Sequence, residues 1–153
     1  MKNKLAITLA LAAVTSAVTA GPIEEQIRFR QSAYSFLGWN TAKIKAQAVD
    51  HPETFNKDQV IAAANAIAAA ANSGLLELYG PGTEQGTGWK PTRLKAEYFQ
   101  KQAEVKELET TFIKEADELQ KVAASGDVAA IKTQFGKVGA ACKECHDLIR
   151  VRE

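Results

Sequence analysis

Apolar residues recur at three- and four-residue steps along most of the chain, and no useful stretch alternates with the two-residue period of a half-buried strand. Four segments carry the helical period. The first runs from about Pro22 to Val49. Ile23, Ile27, Arg30, Tyr34, Leu37 and Thr41 form one stripe on it, and Phe29, Ala33, Phe36 and Asn40 form an adjoining one, so this helix is expected to bury more than one face. Pro22 suits a first turn, and Glu24 and Glu25 suit the positive end of the helix dipole. Asp50-His51-Pro52 ends the segment, because the residue before a proline is disfavoured in a helix.

The second segment, from about Lys57 to Leu78 with Asn56 as a cap, is rich in alanine, which lets a neighbouring helix or a flat ligand come close to its backbone. Tyr79-Gly80-Pro81-Gly82 stops it. The third runs from about Pro91 to Ala124 along Leu94, Tyr98, Val105, Leu108, Phe112, Leu119 and Val122. The fourth, from about Val128 to Arg150 with Asp127 as its cap, carries Ile131, Phe135, Val138, Cys142, Cys145 and Ile149 along one seam. Between the second and third lies a glycine-rich stretch, residues 80–90, long enough to suggest a binding role. Helices of this length with short connections predict an all-α fold, an antiparallel up-down-up-down four-helix bundle.

The first twenty residues read differently. Lys2 and Lys4 precede an uncharged run from Leu5 to Ala20, only 16 residues long and ending in small side chains. That is short of the ~20 residues a spanning helix needs. It has the form of a secretory signal cut between Ala20 and Gly21, leaving one domain over residues 21–153 and no membrane segment. Export implies an oxidising compartment, and the periplasm is the expected location. Charge narrows the partners: 19 basic residues against 18 acidic ones leave no surplus to hold nucleic acid.

The chemistry concentrates in Cys142-Lys143-Glu144-Cys145-His146, which contains both cysteines and one of the two histidines of the chain. On a helix, Cys142 and Cys145 are three residues apart, and His146 is four from Cys142, so all three project from one face. Two sulfurs there can form thioethers with porphyrin vinyl groups while the imidazole reaches the iron from the same side. Three other readings compete. A structural disulfide would close too short a loop to add much stability. A thioredoxin-like pair normally opens a helix after a strand. A zinc site would need a fourth ligand, and adjacent Cys145 and His146 would bind one ion awkwardly. One covalently attached haem c, held by Cys142 and Cys145 with His146 as the metal ligand, is the expectation. No acid, base or nucleophile constellation suggests an enzyme, so no catalytic residue is assigned.

The C-K-E-C-H-D-L-I-R segment at 142–150, the R-F-R-Q-S-A stretch at 28–33 and the Y-G-P-G-T-E turn at 79–84 together resemble the cytochrome c′ family over essentially the whole of residues 21–153. The motif lies near the C-terminus, and the only methionine is Met1, so no methionine remains after cleavage to serve as a sixth ligand. His51 falls in a turn between helices. The iron is therefore expected to be five-coordinate, with an open distal side that takes diatomic gases.

The resemblance implies further roles. Arg30 and Gln31 would contact the haem propionates, with Thr87 as an additional contact. Arg150 would lie beside the proximal histidine. Tyr34 and Tyr79 would line the distal pocket, where the family usually carries an apolar residue at the first position. It also implies a homodimer through the first two helices, and NO or CO as ligands, with a part in NO sequestration or nitrosative-stress protection. The alternative is an electron-transfer cytochrome serving a redox partner protein.

Overall fold

A computed structural model describes residues 22–152, so the expected signal segment lies outside the described residues. Helix α1 spans Ile23–Lys45 and widens into a π turn at Ala46–Asp50 before Pro52. Helices α2 (Lys57–Ala71), α3 (Gln102–Ser125) and α4 (Val128–Ile149) complete a four-helix bundle in which each helix packs on the next. Asn56 accepts a hydrogen bond from Gln59 N, and Asp127 accepts from Ala129 N and Ala130 N, so both expected caps are made. Gly126, with φ +79°, turns the chain between α3 and α4 in the left-handed region that other residues avoid.

Ile44, Val60, Ile67, Leu119, Ile131 and Val138 are fully buried in one cluster at the centre of the bundle. Burial of each such side chain contributes about 1.5–3 kcal/mol. The alanines of α2 serve helix packing: Ala63, Ala64, Ala68 and Ala71 are buried. Gln134, also buried, donates to Glu115 O and Oε2 and so ties α4 to α3.

Two expected boundaries are corrected. The second helix ends at Ala71, not Leu78: Gly74 takes φ +76°, and Leu75–Leu78 forms a separate 3₁₀ turn. The third helix begins at Gln102, not Pro91. Lys95 N donates to Ile149 O and Val151 N to Arg93 O, so residues 93–95 run extended along the C-terminus before a 3₁₀ turn at Ala96–Gln100. The second stripe of α1 is also not uniformly buried. Asn40 is inside, whereas Phe29 and Phe36 are 59% and 49% exposed.

Candidate functional site

A cavity of ≈ 560 Å³ opens at one end of the bundle, where α1 and α4 scarcely touch. Its size is ordinary for a small-molecule or cofactor site. Four parts of the chain enclose most of it: the middle of α1 from Arg30 to Thr41, the start of α3, the last turns of α4, and the connection between α2 and α3. The wall is largely hydrocarbon, with Leu37, Leu75, Leu108 and Phe112 among its residues. Cys142 packs against the central cluster, and Cys145 against a smaller one built from Leu94, Tyr98, Val105 and Ile149. The cavity thus lies between two apolar clusters, with one thiol on each.

Cys142, Cys145 and His146 all line it, as their spacing on α4 predicts. Both cysteines are free thiols. Burial raises both, Cys145 to about 11 with Cys142 and Glu109 adding to the effect. A disulfide oxidoreductase needs the opposite, a thiol lowered so that it ionises. Partial burial, with Arg150 and Arg93 nearby, lowers His146 below its ordinary value, which favours the neutral imidazole that binds metals. Two adjacent thiols, a neutral imidazole on the same face and an apolar chamber beside them fit a covalently held porphyrin. Among the described residues no group of three His, Cys, Asp or Glu side chains is placed to hold a bare metal ion. His51 is on the surface, its Nδ1 3.3 Å from Glu53 Oε1, and does not line the cavity.

Tyr34 and Tyr79 both reach the cavity, and the Tyr79 hydroxyl donates to that of Tyr34 at 3.2 Å. Tyr79 is sandwiched, with the Tyr98 ring stacked at 5.0 Å and the Arg30 guanidinium 4.3 Å from its centroid. Burial pushes Tyr34 up to about 12, and Tyr79 well above its ordinary value. Both phenols therefore keep their protons near neutral pH. Arg150 also lines the cavity, and its backbone N–H closes the last turn of α4 on His146 O.

Polar residues of α1 fasten the loop that follows α2. Arg30 is only 5% exposed, and its two terminal nitrogens are engaged by the loop. Nη1 donates to Leu78 O and Thr83 Oγ1, and Nη2 to Thr83 O and Thr92 Oγ1. Gln31 accepts from Trp89 N and Lys90 N and donates to Lys90 O. Gln26 accepts from Gly80 N. Three side chains of α1 thereby fasten the long connection across the cavity. Gly88 lies so close to α1 that a Cβ there would come within 2.8 Å of Arg28 N, which explains a glycine at that point. Arg30 and Gln31 do line the cavity, but with these polar atoms already engaged; Thr87 is exposed and is not in its wall.

Sequence reasoning missed Thr83, fully buried, and Thr92, the two hydroxyl residues that receive Arg30. Neither carries a local signal, since their partners lie on a helix more than fifty residues away. Leu108 and Phe112 were legible as an apolar stripe, but their stripe gave no sign that it faces a chamber.

The profile of the Cytochrome C′ family matches residues 25–150. A cytochrome c′ of Rhodocyclus tenuis is 52% identical over 130 residues, covering 85% of this chain and 96% of that one. A cytochrome c′ of Allochromatium vinosum is 48% identical over 157 aligned positions, covering 99% of this chain and 100% of the relative. Among solved structures, a cytochrome c′ described as having an unusual ligand-controlled dimer dissociation superposes with a TM-score of 0.81 at 48% identity, over 88% of this chain and 100% of that one. These relatives bear the names of haem proteins, not of enzymes. Among the described residues no helix is long and apolar enough to cross a membrane.

Proposed function

This chain belongs to the cytochrome c′ family, a family of c-type cytochromes with covalently bound haem, and from that premise we propose that it is a periplasmic monohaem protein that reversibly binds NO or CO at a five-coordinate iron. Cys142 and Cys145 would hold the porphyrin through thioethers, and His146 would be the sole protein ligand to the metal. The bound haem supplies a Lewis-acidic iron with one position for a diatomic ligand. The chain's own residues do the rest. Leu37, Leu108 and Phe112 supply apolar surface that disfavours water, while Tyr34 and Tyr79 bring two hydroxyls to the wall. The observation that carries this reading is that a face with one imidazole meets a chamber whose other walls, among the described residues, offer no second imidazole or thioether. Sequestering NO is the role this supports, with residues 1–20 removed on export.

Titration of the reduced protein with CO and with NO tests the reading. Each gas is expected to shift the Soret band with saturable, one-to-one stoichiometry. A reduced spectrum unmoved by either gas would contradict it.

The exposed aromatic strip supports a homodimer. Phe29, Phe36 and Trp39 on α1 and Trp89 on the loop are all about half or more exposed, with Phe36 and Trp39 rings 6.0 Å apart. Ala62 and Ala69 on α2 are exposed as well, small side chains over which another helix can approach closely. Replacing Phe36 and Trp39 together by glutamate is expected to turn a dimer into a monomer in sedimentation velocity at micromolar concentration, with the haem spectrum retained. An unchanged sedimentation coefficient would place the interface elsewhere.

A further inference from the structure

The stripe of α3 that faces the cavity consists of Val105, Leu108, Glu109 and Phe112, successive positions on one helix face. Three of these side chains are hydrocarbon and Glu109 is a carboxylate. It is the one acidic side chain lining the cavity among the described residues, and it is only 10% exposed. Withdrawing a carboxylate from water at an apolar wall costs free energy. Its hydrogen bond comes from Lys106 Nζ at 2.7 Å, one turn back on the same helix. Glu109 therefore joins no two parts of the bundle, unlike Glu115, which accepts from Gln134 of α4.

The two charges of this pair do not cancel equally at the cavity. Lys106 is 71% exposed, so water and salt screen it, whereas the carboxylate faces a wall of low polarity. Burial, Cys142 and Glu109 raise the Cys145 thiol, while burial, Arg150 and Arg93 lower His146. The carboxylate thus stands on the Cys145 side of the cavity and those two guanidiniums on the His146 side. The remaining cations of the wall, Arg30 and Lys90, belong to α1 and the loop fastened to it.

An iron centre gains one positive charge on oxidation, so a nearby carboxylate favours the oxidised form and nearby cations favour the reduced one. We propose that Glu109 sets the reduction potential of the haem, holding it lower than the cationic part of the wall alone would. The proposal rests on the haem reading above and adds to it the residue that governs the ferric–ferrous balance. In that couple one electron enters the ferric iron, and no bond is made or broken. Lys106 tempers the effect from the solvent side.

Potentiometric titration tests this. The holoprotein is equilibrated with redox dyes, reduced stepwise with dithionite and reoxidised with ferricyanide, with absorbance recorded throughout. Wild type, Glu109→Gln, Lys106→Met and Glu118→Gln are compared. Glu109→Gln keeps the shape of the side chain and removes its charge. It is expected to raise the ferrous-to-ferric ratio at a fixed applied potential about tenfold, a rise of ~59 mV for a one-electron couple. Lys106→Met leaves the carboxylate without its counter-charge and is expected to lower that ratio about threefold. Glu118→Gln removes a carboxylate from another α3 pair, with Lys121, in which both partners are at least half exposed and neither lines the cavity. It is expected to leave the potential unchanged.

An unchanged or lowered potential in Glu109→Gln would overturn the proposal. So would shifts of the same sign in Glu109→Gln and Lys106→Met, the mark of a general loosening of the wall. If five-coordinate haem is present and Glu109→Gln behaves like Glu118→Gln, the proposal alone fails. If no haem is attached, or its sixth position is filled by a side chain, the haem reading fails with it.

Discussion

Serine at both Cys142 and Cys145 is expected to abolish covalent haem attachment. Acidified organic solvent should then strip all pigment from the denatured polypeptide, and the intact mass should be that of the bare chain. The expectation follows from the cysteine count: the sequence holds two, and both line the cavity. Each single variant should keep one thioether and a haem-bearing mass. Stability is expected to fall in the double variant as well. A cavity of ≈ 560 Å³ bounded by Leu37, Leu108 and Phe112 has no partner atoms for its lining until something fills it, and unfilled apolar space costs dispersion contacts. A haem attached only through His146 dissociates when the chain unfolds, whereas a thioether-linked one does not. Pigment that resists extraction from the double variant would contradict the assignment.

The second large effect is expected at Arg30. Arg30→Ala removes four hydrogen bonds from a side chain that is 5% exposed, and leaves the carbonyls of Leu78 and Thr83 without that donor. Hydrogen bonds to a charged group contribute about 1.5–3 kcal/mol, and they are not additive. A loss of about 3 kcal/mol, or roughly 10 °C in Tm, is expected. The loop over residues 80–90 should also become a site of limited proteolysis, because its main fastening to α1 is gone. Arg30→Lys keeps the charge but not the planar fork, and should rescue little. A Tm within 2 °C of the wild type for Arg30→Ala, an approximate threshold set by ordinary surface substitutions, would show that Gln26 and Gln31 suffice.

Arg30 also marks the limit of what the sequence alone discloses. A guanidinium on a helix beside an expected haem invites pairing with a carboxylate. The structure gives its terminal nitrogens to Leu78, Thr83 and Thr92, partners separated from it by 48 to 62 residues. Nothing local encodes those contacts. Likewise, Leu94 and Tyr98 continue the apolar spacing of α3 backwards, yet residues 93–95 are extended because they pair with the C-terminus after α4. Gly74 ends α2 early through its left-handed φ, which one glycine among several does not announce in advance.

What was legible is what depends on short-range geometry. The thiols and imidazole of α4 share a face because three- and four-residue spacing puts them there, and the caps at Asn56 and Asp127 need only the next few residues. His51 was placed in a turn by the proline after it, and it lies outside the cavity. The exposed Phe29 and Phe36 were legible as a second apolar stripe; whether a stripe is covered by its own chain or by another copy is a tertiary matter that periodicity does not encode.

If His146 alone holds the iron, the opposite side of the haem is left open to a ligand. The coordination state of the purified protein, read from its absorption and electron paramagnetic resonance spectra without added ligand, tests it most directly. The expected result is a haem inseparable from the polypeptide, high-spin and five-coordinate when reduced. A low-spin, six-coordinate iron would contradict it, as would a protein without a Soret band.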